Sequence, residues 1–199
     1  MRVGNHTREG YTVLWIVLGI VVVLVLIFVS LYNKLVRLRN RVDEAWAQID
    51  VQLRRRYDLI PNLVETVKGY AAHERQTLEA VTQARGAAQS LNASGASPGA
   101  IAQAEGALTN ALRGLLAVAE AYPDLKANQN FLALQEELTG TENKIAFSRQ
   151  HYNDSVRANN TAVETIPTSL VAPLAHVGKR DYFEVDPTDA ARNPVQVQF

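Results

Sequence analysis

A chain of 199 residues with twenty basic and twenty acidic side chains carries no net charge, so no global field draws it to nucleic acid or an acidic substrate. It has no cysteine, which excludes a disulfide framework, a thiol nucleophile and lipidation at a mature Cys. Glycine and proline are sparse through the middle and alanine is abundant, a composition that favours helix in a body large enough for one real core.

After a short tip, residues 1–10, the segment Tyr11–Leu31 contains no ionisable side chain beyond the Tyr11 phenol. A helix of that length, rising about 1.5 Å per residue, covers about 30 Å, the thickness of a bilayer's hydrocarbon core. In lipid the backbone must satisfy its own hydrogen bonds, which makes helix the conformation for one apolar run. The run exceeds the roughly 7–15 residues of a secretory signal core, and no small-x-small cleavage pattern follows, so it reads as a retained anchor. Tyr11 and Trp15 stand at one end and Leu31 and Tyr32 at the other, where amphipathic rings suit the two interfaces. Gly19 has no small residue four positions away, so tight association within the membrane is not signalled. Arg2 and Arg8 precede the span, whereas Lys34, Arg37, Arg39 and Arg41 follow it. Positive charge collects on the cytoplasmic side, so a cell-membrane protein with its N-terminus out and its body cytoplasmic is expected.

The body, residues 32–159, reads as four helices. Leu31, Leu35, Leu38, Val42, Ala45, Ile49 and Leu53 recur at steps of three and four, predicting a helix that continues from the span and ends near Tyr57. Asp58 then caps a second helix with Pro61 in its first turn and a stripe running from Ile60 through Val67 and Leu78 to Ala88. Asn92–Pro98 is turn chemistry, and Ile101, Leu108, Leu112 and Leu115 mark a third helix that Tyr122-Pro123-Asp124 breaks. A fourth, over residues 124–159, carries Phe131, Leu138, Ile145, Tyr152 and Val156. Short connections between long helices make antiparallel neighbours. The expected fold is all-α: a single N-terminal transmembrane helix continuing into an antiparallel four-helix bundle, with an irregular C-terminal tail.

That tail, residues 160–199, is punctuated by Pro167, Pro173, Pro187 and Pro194, which rule out a long helix. Ile166, Leu170, Val171, Leu174 and Val177 form an apolar cluster followed by Lys179 and Arg180. Two readings stand: a strap packed along the bundle, which is preferred, or an interfacial segment lying on the headgroups with its basic end toward anionic lipid. Residues 195–199 alternate like a strand.

Several ordered blocks carry a resemblance. They are Tyr32–Asn40 (YNKLVRLRN), Val42–Trp46 (VDEAW), Ile49–Val64 (IDVQLRRRYDLIPNLV) and Val67–Glu74 (VKGYAAHE). Ala127–Leu132 (ANQNFL), Leu138–Asn143 (LTGTEN), Ser148–Val156 (SRQHYNDSV) and Tyr182-Phe183 continue the series. From Tyr32 to Phe199 the chain resembles the LemA family. The resemblance implies a four-helix antiparallel bundle behind one N-terminal span, usually with an exposed N-terminus and a cytoplasmic body. It implies no reaction; one member in magnetosome-forming bacteria is linked to membrane-compartment formation.

The residues themselves carry little chemistry. Di-metal bundles use Glu-x-x-His pairs, and none of His6, His73, His151 or His176 has a carboxylate three residues earlier. His73-Glu74 opens like a zinc motif, but residue 77 is Thr. No glycine-rich segment ends in the Lys-Ser/Thr of a phosphate loop. Ser148, His151 and Asp154 line one helical ridge, whereas a triad converges from separate elements. No catalytic, cofactor-binding or metal-binding residue is therefore expected, and no cofactor. Arg54-Arg55-Arg56 is a candidate partner surface, although charge near a helix C-terminus commonly complements the dipole. Asn62, Asn128, Asn130 and Asn143, with Gln129 and Gln135, are candidates for a polar network fixing helix register. The expected function is a non-enzymatic membrane scaffold or adaptor whose partners are the lipid bilayer and further copies or other membrane proteins, with no nucleic acid. The alternatives are a membrane-remodelling component contacting lipid through its tail, and a small-ligand-binding bundle, which demands convergent carboxylates around a polar cavity.

Overall fold

A computed structural model describes residues 5–71 and 73–184. Among them are helices α1 (Asn5–Lys68), α2 (Arg75–Ala93), α3 (Pro98–Glu120), α4 (Pro123–Lys126), α5 (Gln129–Glu164) and α6 (Thr168–Val171), and no strand. The strand-like pattern at 195–199 lies outside the described residues. The chain divides into two compact units, Met1–Val42 with Arg157–Arg180, and Asp43–Val156 with Asp181–Phe199.

In the first unit α1 begins with the apolar run, which is long and apolar enough to cross a membrane and has none of its most apolar window buried in the protein. Leu35 begins the protein-packed part, and Ala162, Val171, Ala172, Ala175 and Val177 close around it, with Leu31, Leu38 and Val163 at the margin. Side chains of α5 pin the segment that follows. Asn159 Nδ2 donates to the Gly178 carbonyl at 2.9 Å, while Asn160 donates to the Arg180 carbonyl at 2.9 Å and accepts from its N–H at 2.8 Å. Thr168 Oγ1 donates to the Ala162 and Thr165 carbonyls at the start of α6. The turn after α6 closes with His176 in the left-handed region (φ 52°), its N–H bonded to the Pro173 carbonyl and that of Val177 to the Ala172 carbonyl.

In the second unit the helix boundaries differ from the sequence expectation at one place of consequence. Asp58 does not start a new helix: α1 runs through Pro61 to Lys68, and the next helix, α2, begins at Arg75. Proline inside a helix withdraws the N–H that the carbonyl four residues earlier would accept. Here that carbonyl belongs to Tyr57, and Arg85 Nε of α2 donates to it at 2.6 Å. A neighbouring helix replaces the missing bond, so the helix has no reason to stop.

The α2–α3 turn behaves as its composition predicts. Gly95 adopts φ 67°, the Gly95 N–H reaches the Asn92 carbonyl, and the Ala96 N–H reaches that of Leu91, which ends α2 in a Schellman motif. Ser97 Oγ then accepts from Ala100 N, with Pro98 in the first turn of α3. The expected fourth helix is resolved into the single turn α4 and the long α5, which starts at Asn128, where Oδ1 accepts from Phe131 N at 3.0 Å, and extends to Glu164. The apolar stripes lie inside as expected: Ile49, Leu53, Ile60, Val67, Val81, Ile101, Leu108, Leu115 and Leu138 are all buried. Trp46 meets Tyr152 at a tilt and Phe183 edge-to-face, with ring centroids 5.3 and 5.7 Å apart, and Asn153 holds Phe183 through its backbone N–H at 2.9 Å.

Candidate functional site

Two places on the apolar stripes are occupied by charge. Arg56 follows Ile49 and Leu53 on the inner face of α1, and Glu105 stands between Ile101 and Leu108 on α3. Arg56 is 1% exposed and Glu105 5%. Buried charges persist only when paired, and these meet: Arg56 Nη1 donates to Glu105 Oε2 at 2.8 Å. Arg56 Nη2 donates to the Thr109 hydroxyl at 2.8 Å, one turn along α3. On the other side Glu142 of α5 brings Oε1 to 2.9 Å from Arg56 Nε, a charge contact whose N–H is not aligned for a hydrogen bond. The Tyr57 hydroxyl donates to the remaining oxygen, Glu105 Oε1, in a short hydrogen bond. Through Arg85 and the Tyr57 carbonyl, α2 joins the same centre. One Arg-Tyr pair on α1 thus ties together all four long helices of this unit.

The electrostatics follow from burial. The Tyr57 phenol is raised well above its ordinary value, first by desolvation and then by the hydrogen bond and charge of Glu105. Desolvation also raises the Glu105 carboxyl, against the opposing effects of the Tyr57 hydrogen bond and the Arg56 charge. Two carboxylates therefore do meet inside the bundle, as a ligand-binding reading demands, but both oxygens of Glu105 are already engaged by Arg56 and Tyr57, and Glu142 Oε1 lies against Arg56. The centre has the form of a structural lock.

Arg54-Arg55-Arg56 does not present one surface. Arg54 pairs with Asp50 at 2.9 Å along the helix, Arg55 pairs with Glu137 at 2.8 Å, and Arg56 points inward. The expectation of a three-arginine partner surface is corrected by the helical phase, because the third residue falls on the apolar stripe. The expected amide network is likewise elsewhere. Asn62, Gln129, Asn130 and Asn143 are exposed, and Asn128 caps α5 while donating to the Tyr70 hydroxyl. The amides that organise the interior are Asn153 and Asn159, which hold the tail. Ser148 is buried and Asp154 exposed, so the Ser-His-Asp ridge does not converge on a cleft. Among the described residues no three His, Asp or Glu side chains gather as a metal-ligand set. An open groove of about 570 Å³ is lined by the apolar Val51 and Phe147 together with Gln48, Gln52, Asn143, Lys144 and Ser148.

The membrane-facing candidates sort clearly. Tyr11, Trp15 and Tyr32 are exposed, nothing stands within 4 Å of a Cβ built at Gly19, and Leu31 is half-buried at the edge of the Leu35 cluster. Val171 and Val177 are buried, whereas Ile166, Leu170 and Leu174 are exposed. Lys179 pairs with Glu164, and Arg180 is exposed.

Residues 45–199 match the model of the LemA family. Over 146 residues the chain is 27% identical to Protein LemA of Metamycoplasma hominis, covering 73% of this chain and 65% of that one. Magnetosome protein MamQ of Magnetospirillum gryphiswaldense is 24% identical over 178 residues, 78% of this chain and 65% of that protein. Magnetosome protein MamQ 2 of Paramagnetospirillum magneticum is 23% identical with the same coverage. The chain thus spans 65% of the length of these curated relatives. With the matched model taking in Trp46, the Arg56-Tyr57 pair and the Phe183 anchor, the chain belongs to the LemA family.

Proposed function

We propose that this protein is a non-enzymatic scaffold or adaptor tethered to the cell membrane by α1, with its helical body in the cytoplasm. The observation that carries the reading is the continuity of α1, an unbroken helix from the apolar run to Lys68 that is locked to its neighbours by the Arg56 centre. A single helix that carries both the apolar run and the Arg56 centre suits a protein held at the membrane, and a diffusing enzyme has no need of it. The engagement of both Glu105 oxygens supports the same reading over a ligand-binding bundle. The likeness to proteins named for the magnetosome supports a membrane-associated role. The basic residues after the span support the cytoplasmic placement.

The test is the native mass of full-length protein extracted from its own membranes in mild detergent. Multiples of the 21.9 kDa chain are expected for a self-assembling scaffold, and a reproducible extra mass for an adaptor. A strictly monomeric species, unchanged after cross-linking in intact membranes, would refute both.

A further inference from the structure

The segment from Ile166 to Val177 has two apolar sides, and only one of them is used. Val171, Ala172, Ala175 and Val177 pack onto Leu35 of α1 and Ala162 of α5. In the same segment Ile166, Leu170 and Leu174 recur every four residues and remain 80%, 71% and 61% exposed. Three large aliphatic side chains left exposed within nine residues are costly in water and ordinarily mark a contact surface.

Where the row sits decides what covers it. Its packed side rests on Leu35, with Leu31, the last residue of the apolar run, at the margin of the same cluster. Leu35 lies about 6 Å along the helix beyond Leu31. The polar layer on each side of a bilayer's hydrocarbon core is about 5–7 Å deep. A segment fixed to α1 at that level lies in the headgroup layer whenever α1 spans.

Charge points the same way. Lys34, Arg37, Arg39 and Arg41 follow the span on α1 with no acidic residue before Asp43. Over residues 157–180, Arg157, Lys179 and Arg180 accompany a single acid, Glu164. The chain as a whole is neutral, so its basic excess is concentrated in the unit that carries the apolar run. A basic collar beside an exposed aliphatic row is complementary to an anionic headgroup surface over acyl chains.

We infer that Ile166, Leu170 and Leu174 form a second membrane contact, a short interfacial anchor seated at the headgroup–acyl boundary of the leaflet on the body's side. This rests on the reading that α1 crosses the bilayer. The anchor holds the protein at two points, so that α1 cannot turn freely about its own axis in the membrane.

The chain has no cysteine, so single probes can be placed in the full-length protein. An environment-sensitive fluorophore is attached to Leu170→Cys, to Gly19→Cys within the span and to Leu132→Cys on the exposed surface of α5. Each protein is reconstituted into phosphatidylcholine–phosphatidylglycerol vesicles, with the body outward, and exposed to nitroxide-labelled lipid or to aqueous iodide. The Leu170 probe is expected to be blue-shifted, quenched by shallow nitroxide lipid and shielded from iodide, while the Leu132 probe shows the opposite. Adding Ile166→Glu and Leu174→Glu is expected to return the Leu170 probe to iodide, with helical content unchanged.

A Leu170 probe open to iodide and silent to nitroxide lipid, beside a Gly19 probe quenched by lipid, overturns the second anchor and leaves the span standing. A Gly19 probe that lipid does not quench overturns the reading beneath it. Shielding of Leu170 from both quenchers shows the row covered by protein and also overturns the inference. Equal shielding in vesicles of phosphatidylcholine alone overturns the part assigned to the basic collar.

Discussion

Removing the Arg56 side chain leaves the Glu105 carboxylate and the Thr109 hydroxyl in the core without their donor. A buried ion stranded in this way costs about 3–5 kcal/mol, so Arg56→Ala is expected to lower stability by roughly that amount. Replacing both charges, as in Arg56→Met with Glu105→Leu, removes the desolvation along with the attraction and is expected to cost less than the single change. Chemical unfolding of the detergent-solubilised protein followed by helical circular dichroism compares the two; a larger loss in the double variant would show that the ion pair itself, not the stranded charge, sets the cost. The same centre fixes a pH response. Burial raises the Glu105 carboxyl in the folded state despite Arg56 and Tyr57, with the Glu142 charge adding to the rise. The folded protein therefore binds a proton more tightly there than the unfolded chain does. Stability from this group is fully present below its ordinary value of 4.5 and is lost as pH rises through the raised value. Glu105→Gln is expected to flatten that decline in unfolding curves taken across the range; an unchanged slope would assign it to another group.

At the scale of elements, Pro61 and Arg85 act as one device. With Arg85→Ala the Tyr57 carbonyl loses its donor inside the bundle, a change expected to cost about 1–3 kcal/mol. Pro61→Ala restores the helical N–H, so Arg85→Ala is expected to cost markedly less in that background. Additive losses in thermal melts of the four proteins would sink the compensation. This device also explains why the α1 boundary was not legible in the sequence. The rule that Pro61 belongs to a first turn is local, and the arginine that overrides it stands in the next helix. The stripes, the Asn92–Pro98 turn and the break at Tyr122-Pro123 were legible because each depends on its own few residues. Glu105 was missed although its signal was present, a charge at an apolar phase between Ile101 and Leu108. Arg56 carries the same signal, but within the run Arg54-Arg55-Arg56 its apolar phase is masked by two neighbours of the same charge. The amides Asn153 and Asn159 gave no local signal, since their partners at Phe183 and Gly178 lie well along the chain.

On the scale of the whole molecule, the distribution of charge matters more than its total. The neutral sum conceals a basic collar beside the apolar run and an excess of acid over residues 43–156 and 181–199. That asymmetry bears on which way the helix is threaded. Lysine and arginine close to a span resist translocation, and the four that follow Leu31 outnumber the two that precede Tyr11. Threading in the opposite sense would carry Lys34, Arg37, Arg39 and Arg41 across the membrane. The expected topology is therefore N-terminus out, and the cysteine-free chain lets it be read directly. A cysteine in place of Asn5 is expected to react with a membrane-impermeant maleimide on intact cells, while one in place of Ser94, exposed after α2, reacts only once the cells are opened. The reverse pattern would place the bundle outside the cytoplasm, and the interfacial row would then address the outer surface of the same bilayer.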